Sequence, residues 1–292
     1  MLSTSAEISE KLSGLRMGTS AFTAAGWPGT FYPKGLKSTE YLRFYSKHFN
    51  TVEIDSTFYR TPSEETVRRW KEQTPSDFVF AAKAPQTITH ERCMQDCTEE
   101  LTRFLTTMET LDQKLGPVLF QFPYFGRQAL SYAVFIERLR VFLSHLPTEG
   151  GHQFAVEIRN KSWINEQLLN LLAEKNVPLA LIAHPWMWAP AELFERVNAL
   201  DSPFTYIRLL GDRYEIERIT KSWGKIVVDR EKELADWAAQ CQRIQRGGKT
   251  IYFFANNHYA GHGPATLRIF RQLYLAGIGI EEQHIMGEFR LE

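Results

Sequence analysis

The sequence predicts a single α/β domain folded as a parallel, eight-stranded (β/α)8 TIM barrel. Three observations support this fold class: eight short apolar segments, a polar or charged cluster at the end of most of them, and helix-like stretches between them. A chain of 292 residues fits one such barrel, which commonly takes about 250 residues. The predicted strands are residues 16–20, 51–57, 78–83, 118–122, 154–159, 179–184, 205–210 and 250–256.

Amphipathic spacing predicts a helix after most of these strands. In chain order the predicted helices are residues 36–49, a stretch that begins near 62–65, and 99–115, 129–146, 164–175, 191–200, 229–244 and 264–275. Residues 211–226, which follow the seventh strand, are predicted to be irregular. The alternative fold is an open doubly wound sheet, and the sequence disfavours it because no Gly-x-Gly-x-x-Gly follows the first strand.

Composition limits the partners of this chain. The 34 basic and 34 acidic residues give a formal net charge of +0, so no global attraction to nucleic acid or to an anionic membrane is expected. We predict no signal peptide and no membrane span. Three cysteines indicate reduced thiols in a cytoplasmic protein. We expect a polar extension over residues 1–14, the barrel over 15–280 and a tail over 281–292.

The second strand carries the clearest candidates for chemistry. Glu53 and Asp55 are two residues apart, which places both on one face of a strand, and Tyr59 would continue that face. Two carboxylates in one pocket separate each other's pKa values, which suits acid/base catalysis. The alternative is that both form ion pairs with Lys83 or Arg159 and only hold the barrel together.

Further charged residues end the third and fifth strands. Lys83 could be a nucleophile or, more commonly, a cation paired with an acid. Glu157 and Arg159 repeat the two-residue spacing and are costly to bury unless they are paired or used in function. His90 could transfer protons near neutral pH, or only fix its loop through a hydrogen bond.

The remaining strand ends suggest substrate contacts. Arg208, Asn256 and Asn257 precede a glycine-rich helix start, a pattern that favours an anion site, although a capped helix start would show the same residues. Gln121 could orient hydroxyl groups. Tyr59 and Trp163 could stack on a sugar or a base, whereas aromatic residues more often pack. We predict no cofactor and no metal, because the separate strands offer too few evident ligands for Mg²⁺ or Mn²⁺.

Several of these segments together resemble domain-of-unknown-function family 72 (DUF72, the YecE-like proteins). The matching segments are residues 31–36, 51–63, 80–85, 88–90, 119–123, 156–159, 162–163, 206–208 and 256–257. The resemblance implies a TIM barrel, and it implies no established reaction. This chain departs from the family pattern at residues 21–24, at 183–184 near the end of the sixth strand, and at Leu210, where a histidine is usual.

The leading functional prediction is a metal-independent enzyme that acts on an anionic or sugar-like small molecule, with Glu53, Asp55, Lys83, His90 and Glu157 as catalytic residues. Glycoside hydrolysis by Glu53 and Glu157 is one specific form, and it requires a particular spacing of the carboxyl groups. The alternatives are a non-catalytic ligand-binding barrel, nucleic-acid processing, which the net charge does not favour, and a purely structural role. The sequence does not identify the substrate or the oligomeric state.

Overall fold

The protein is described here by a computed structural model that covers residues 11–126, 128–147, 151–197, 199 and 201–280. The predicted tail and most of the predicted extension lie outside these residues. The strands are β1 (Leu15–Thr19), β2 (Thr51–Ile54), β3 (Val79–Lys83), β4 (Leu115–Gln121), β5 (Phe154–Glu157), β6 (Leu181–Ala183), β7 (Thr205–Leu209) and β8 (Ile251–Ala255).

Helices separate these strands, as the apolar spacing predicts. The α-helices are α1 (Tyr41–Tyr45), α2 (Glu64–Glu72), α3 (Thr98–Met108), α4 (Tyr132–Ser144), α5 (Glu166–Glu174), α6 (Pro190–Val197), α7 (Arg213–Ile219), α8 (Glu231–Arg246), α9 (Asn257–Ala260) and α10 (Gly263–Ala276). Short 3₁₀-helices span Ser38–Glu40, Asp55–Phe58, Glu109–Lys114 and Lys161–Trp163, and a π-helix spans Thr87–Glu91.

The strands form two four-stranded sheets, in the orders β1-β8-β7-β6 and β2-β3-β4-β5. The paired strands with a recorded register are parallel, and strand β1 pairs with β8 from Leu15 with Ile251 to Thr19 with Ala255. Neither order contains the reversal that marks a doubly wound sheet. The protein is therefore an α/β protein with parallel sheets.

The chain divides into two compact units. Unit 1 comprises Met1–Val52, Ile182–Leu200 and Ile207–Glu292, and unit 2 comprises Glu53–Leu181 and Asp201–Tyr206. In unit 1, Phe253 of β8 stacks on Phe270 of α10 with ring centroids 3.8 Å apart. In unit 2, Phe120 of β4 packs against Phe142 of α4 at 4.9 Å. Each unit thus buries the apolar face of its helices against its own strands.

Strand β2 and the segment after β7 are among the predicted elements that differ in the structure. Strand β2 ends at Ile54 rather than at residue 57, because the Thr57 hydroxyl donates to Ile54 O at 2.7 Å and to Lys83 O at 2.6 Å, which closes a 3₁₀ turn. Residues 211–226 contain α7, which Asp212 caps through the backbone N–H groups of Tyr214 and Glu215. The π-helix after β3 was not predicted.

Gly211, which precedes α7, has a positive φ of 65°, and a Cβ there would lie 2.4 Å from His258 O. Only glycine fits this position, because a side chain would clash with the backbone of α9. The close approach fixes the turn that leads from β7 into α7.

Candidate functional site

Glu53 lies near the carboxyl end of β2 and is fully buried. The Tyr206 hydroxyl, also fully buried, donates to Glu53 Oε2 at 2.5 Å. Both residues belong to unit 2, although 153 positions separate them in the sequence. Sequence reasoning did not propose Tyr206 as a site residue, because a strand tyrosine resembles an ordinary core residue. It orients the Glu53 carboxylate.

Asp55 was predicted to share a strand face with Glu53, and this prediction is wrong. The strand ends between them, and Asp55 opens the 3₁₀-helix that continues to Phe58. The alternation of side chains stops with the strand, so the predicted continuation to Tyr59 is also wrong. Tyr59 is 74% exposed and follows this turn.

Lys83 ends β3 and is buried, with 9% of its surface exposed. Its Nζ lies 3.9 Å from the centroid of the Phe58 ring, which is a cation–π contact. This contact between Phe58 and Lys83 was not predicted. The position of Phe58 in the turn after β2 could not be foreseen while that turn was predicted to be strand. The ring holds the Lys83 ammonium group at the edge of the sheet.

His90 lies in the π-helix after β3, a helix type that is frequent at functional sites. It packs edge-on against Phe58 with ring centroids 4.8 Å apart, and its Nδ1 lies 2.8 Å from Thr89 Oγ1. Burial, followed by the charges of Lys83 and Arg159, lowers the pKa of His90 to about 4, while Glu157 opposes this shift. His90 is therefore neutral at pH 7.

The segment after this π-helix contains non-glycine residues with a positive φ angle. Cys93, Met94 and Asp96 have φ values of 44°, 69° and 45°, although none is glycine. Each such residue costs about 1–3 kcal/mol, and strain of this kind clusters at functional sites. The strain lies immediately after His90 in the chain.

Glu157 ends β5 and is fully buried, and Arg159 Nε donates to its Oε1 at 2.5 Å. The strand was predicted to continue to Arg159 but ends at Glu157, and the arginine turns back onto the carboxylate instead. Gln121 of β4 is the register partner of Glu157, and its Nε2 donates to Phe122 O at 2.6 Å. Gln121 therefore lies beside Glu157 at the carboxyl edge of the sheet.

Trp163 packs within an aromatic cluster. Its ring stacks on Phe125 at 5.4 Å and contacts Phe135 at 5.0 Å and Tyr132 at 5.7 Å. These contacts fix the start of α4 against the loop after β5. They account for Trp163 by packing, and the predicted role in substrate binding remains a prediction.

In unit 1, the predicted residues at the strand ends have different surroundings. Arg208 of β7 is buried, with 2% of its surface exposed. Asn256 caps α9 by accepting from His258 N at 3.0 Å. Asn257 Oδ1 accepts from Trp27 Nε1 at 3.2 Å and from Gly263 N at 2.8 Å. Both asparagines thus hold the loop that leads to α10.

The predicted anion site at the start of α10 is closed by the chain itself. Gly263 N donates to Asn257, Pro264 has no N–H, and Ala265 N donates to His262 Nδ1 at 3.0 Å. These first-turn donors already have partners, which is the capped helix start that the sequence left open as the alternative.

Unit 2 thus brings together five of the predicted residues at the carboxyl edge of its sheet or in the segments that follow it: Glu53, Lys83, Gln121, Glu157 and Arg159. His90 joins them, since the charges of Lys83, Glu157 and Arg159 act on its imidazole. The arrangement combines oriented carboxylates, cations and a neutral imidazole. Such a set can bind a polar ligand and move protons.

Metal ligands and membrane-spanning helices can be assessed for the parts of the chain that the structure describes. Within them, no cluster of three or more His, Cys, Asp or Glu side chains has the geometry to hold a metal ion. Within them, too, every helix is too short or too polar to cross a membrane.

A family model described as "Protein of unknown function DUF72" matches residues 16–283. The UPF0759 protein YecE of Escherichia coli K12 is 36% identical over 151 residues, which cover 50% of this chain and 53% of that protein. The match thus spans about half the length of that relative. The UPF0759 protein YunF of Bacillus subtilis is 26% identical over 254 residues, 81% of this chain and 88% of that one.

Among solved structures, a DUF72 family protein from Thermotoga maritima superimposes with a TM-score of 0.67 at 24% identity. The match covers 91% of this chain and 99% of the other. At this identity the likeness establishes a shared fold and nothing about chemistry.

Proposed function

We propose that this chain, which belongs to the DUF72 family of proteins of unknown function, is a metal-independent enzyme for a polar, anionic or sugar-like small molecule. One observation carries this proposal: two fully buried carboxylates at strand ends of unit 2 are each oriented by a directed donor, Tyr206 for Glu53 and Arg159 for Glu157. Burying carboxylates is costly, and active sites commonly bear that cost.

The two carboxylates would have different roles. The arginine partner stabilises the ionised form of Glu157, which then acts as a fixed negative charge. Glu53 Oε2 accepts a hydrogen bond from the neutral phenol of Tyr206. We assign proton transfer to Glu53, with Asp55 as a proposed auxiliary acid. General acid/base catalysis of this kind contributes about 10²–10⁴-fold in rate.

The cations and amides would hold the substrate. Lys83, whose ammonium group lies over the Phe58 ring, would stabilise negative charge on the substrate. Gln121 would orient a hydroxyl group of the substrate beside Glu157. In unit 1, Arg208, Asn256 and Asn257 remain proposed substrate contacts, although the side-chain oxygens of both asparagines accept hydrogen bonds from other residues of this unit.

A turnover screen tests the proposal. Purified protein would be incubated with hydroxy acids, uronic acids, sugar phosphates and neutral sugars, and product formation followed by proton NMR. We expect one class to be converted and Glu53→Gln to reduce kcat at least a hundredfold. The matched control is Glu65→Gln, which changes an exposed acid paired with Arg69. Equal activity of both variants would contradict the assignment of Glu53.

A second candidate is a non-catalytic ligand-binding protein. The same contacts favour it, because acids that are held by fixed partners can serve recognition without moving protons. Saturable binding with no conversion of any bound compound, and with affinity unchanged in Glu53→Gln, would select this candidate over the enzyme.

We further propose that the eight strands close into the single (β/α)8 barrel that the sequence predicts. The consecutive strand order in each sheet and the parallel pairing of β1 with β8 support this. A crystal structure with two open sheets would contradict it. We also propose a cytoplasmic location, since Cys93, Cys97 and Cys241 are all free thiols. Cell fractionation tests that point.

A further inference from the structure

The contact between the Thr89 hydroxyl and His90 Nδ1 bears on which ring nitrogen carries the proton. Thr89 is fully buried, and within the described residues its hydroxyl has His90 Nδ1 as its hydrogen-bond partner, at 2.8 Å. A buried hydroxyl proton without an acceptor costs about 1–3 kcal/mol, so the hydroxyl donates to Nδ1. An imidazole that accepts at Nδ1 and is neutral carries its proton on Nε2.

The neutral state of this ring follows from its surroundings. Burial is the main cause that lowers the pKa of His90; the charges of Lys83 and Arg159 lower it further, and that of Glu157 opposes them. Phe58 packs edge-on against the ring and limits its rotation. His90 Nε2–H makes no hydrogen bond within the part of the chain that the structure describes, and the residue is half-buried. This N–H is available to a ligand.

Arg159, whose charge acts on His90, offers a second donor group. Its Nε is committed to Glu157, whereas its two terminal nitrogens make no hydrogen bond to any described residue. The side chain is 27% exposed. A guanidinium group that is held through Nε presents Nη1 and Nη2 as a planar fork, whose geometry matches the two oxygens of a carboxylate.

We propose that His90 Nε2–H and the Nη1/Nη2 fork of Arg159 form a subsite for a carboxylate group of a small-molecule ligand, with Thr89 as a positioning residue. The proposal rests on the proposed function, since it names the substrate class of the same site. It also changes the predicted role of His90 from a general acid or base to a neutral hydrogen-bond donor, a role that suits polarising an oxygen of the ligand.

Charge favours a carboxylate over a phosphate monoester. Of the charges that act on His90, those of Lys83 and Arg159 are positive and that of Glu157 is negative. A carboxylate supplies one negative charge, whereas a phosphate monoester supplies about 1.5–2 near neutral pH. Glu157, which contacts Arg159, would repel the additional negative charge of a phosphate monoester.

Nitrogen NMR of histidine-labelled full-length protein tests the proton position without a substrate. We expect His90 to show the Nε2–H tautomer from about pH 6 to pH 8. In Thr89→Val, which has a similar shape but no hydroxyl, we expect a mixture of tautomers. An Nδ1–H tautomer or a charged ring at about pH 6 in the unmodified protein would overturn the proposal.

Titration with glycolate and with inorganic phosphate, at ionic strength held constant with chloride, tests the ligand class. We expect glycolate to shift the His90 signals saturably, with a dissociation constant of about 1 mM, and phosphate to bind more weakly. Arg159→Lys keeps the charge but loses the fork, and should weaken glycolate binding about tenfold. Arg69→Lys, in an exposed pair, is the control.

Stronger binding of phosphate, no saturation by glycolate at about 50 mM, or unchanged glycolate affinity in Arg159→Lys would overturn the subsite. This failure is distinct from failure of the proposed enzyme. Carboxylate binding without any turnover would support the subsite and contradict the enzyme. Turnover restricted to ligands that lack a carboxylate would support the enzyme and contradict the subsite.

Discussion

The strand ends of the two units use their polar residues in different ways. In unit 1, residues that closely follow β7 and β8 cap helices: Asp212 caps α7, and Asn256 caps α9. In unit 2, the side-chain caps are Ser63, Ser131 and Asn165, which lie well beyond the ends of β2, β4 and β5.

This difference shows how similar strand–helix segments can serve structure or chemistry. A residue that caps a helix has an oxygen or nitrogen committed to backbone N–H groups and is less able to bind a ligand. Where the cap lies further along the chain, the residues at the strand end can face a ligand instead. Unit 2 therefore retains Glu53, Lys83 and Glu157 for a site, while unit 1 uses Asn256 and Asn257 to build its loops.

The largest expected effect comes from separating the buried ion pair of unit 2. Arg159→Met removes the guanidinium group that contacts the buried Glu157 carboxylate, and we expect a loss of about 3 kcal/mol in the free energy of unfolding. Urea denaturation followed by circular dichroism measures it. The control is Arg69→Met, whose exposed pair with Glu65 should contribute less than about 1 kcal/mol. Equal losses would show that Glu157 has no special need of Arg159.

Removing the donor to Glu53 should have the next largest effect. Tyr206→Phe deletes one hydroxyl and leaves Glu53 Oε2 buried without that bond, and we expect a loss of about 2 kcal/mol. The same denaturation measurement applies. Tyr214→Phe is the control, because Tyr214 is 76% exposed. A stability equal to that of the unmodified protein would mean that the hydroxyl does not orient Glu53.

A cap in unit 1 should matter less and should leave the unit 2 site intact. Asn256→Ala removes the acceptor for His258 N, and we expect a loss of about 1 kcal/mol. Asn256→Asp keeps an oxygen acceptor and should recover most of this loss. A change of the His90 tautomer in Asn256→Ala, measured by NMR, would contradict the expectation that this cap leaves the unit 2 site intact.

The smallest effect concerns pH. Burial, followed by the charge of Arg268, lowers the pKa of His262 to about 4. As the pH falls below about 6.5, the unfolded chain takes up a proton that the folded protein does not, so stability decreases until about pH 4. Between pH 7 and pH 6 we expect a loss of roughly 0.5 kcal/mol from this residue.

His262→Asn tests this expectation, because asparagine can still cap α10 but does not titrate. Urea denaturation at both pH values should show a smaller loss in the variant than in the unmodified protein. An identical loss in both would show that His262 does not contribute to the pH dependence.

Much of the fold could be predicted because apolar runs and helical spacing are local signals. The strand positions, the parallel α/β class and the main helices follow from them. The end of β2 could not be predicted, since the Thr57 hydroxyl closes a turn by reaching Lys83 O on the next strand. Helix α7 could have been predicted, because Asp212 followed by Glu215 is a typical helix start.

The site was predictable in its residue types and not in its partnerships. Glu53, Lys83 and Glu157 stand out because charge at the end of an apolar strand is costly. Tyr206 does not stand out, since its role depends on a contact with a residue far away in the sequence. The state of His90 depends on charges from two other segments and on the Thr89 hydroxyl, which spacing alone cannot reveal.

The bond between Tyr206 and Glu53 also constrains the order of folding. Unit 2 is discontinuous, and its last piece, Asp201–Tyr206, is synthesised long after Glu53. Contacts between distant parts of a chain form slowly, and domains tend to fold from the N-terminus during synthesis. In a nascent chain that stops before residue 201, Glu53 therefore lacks the hydrogen bond from Tyr206. The site is complete only after this late segment has been synthesised and has joined the earlier strands.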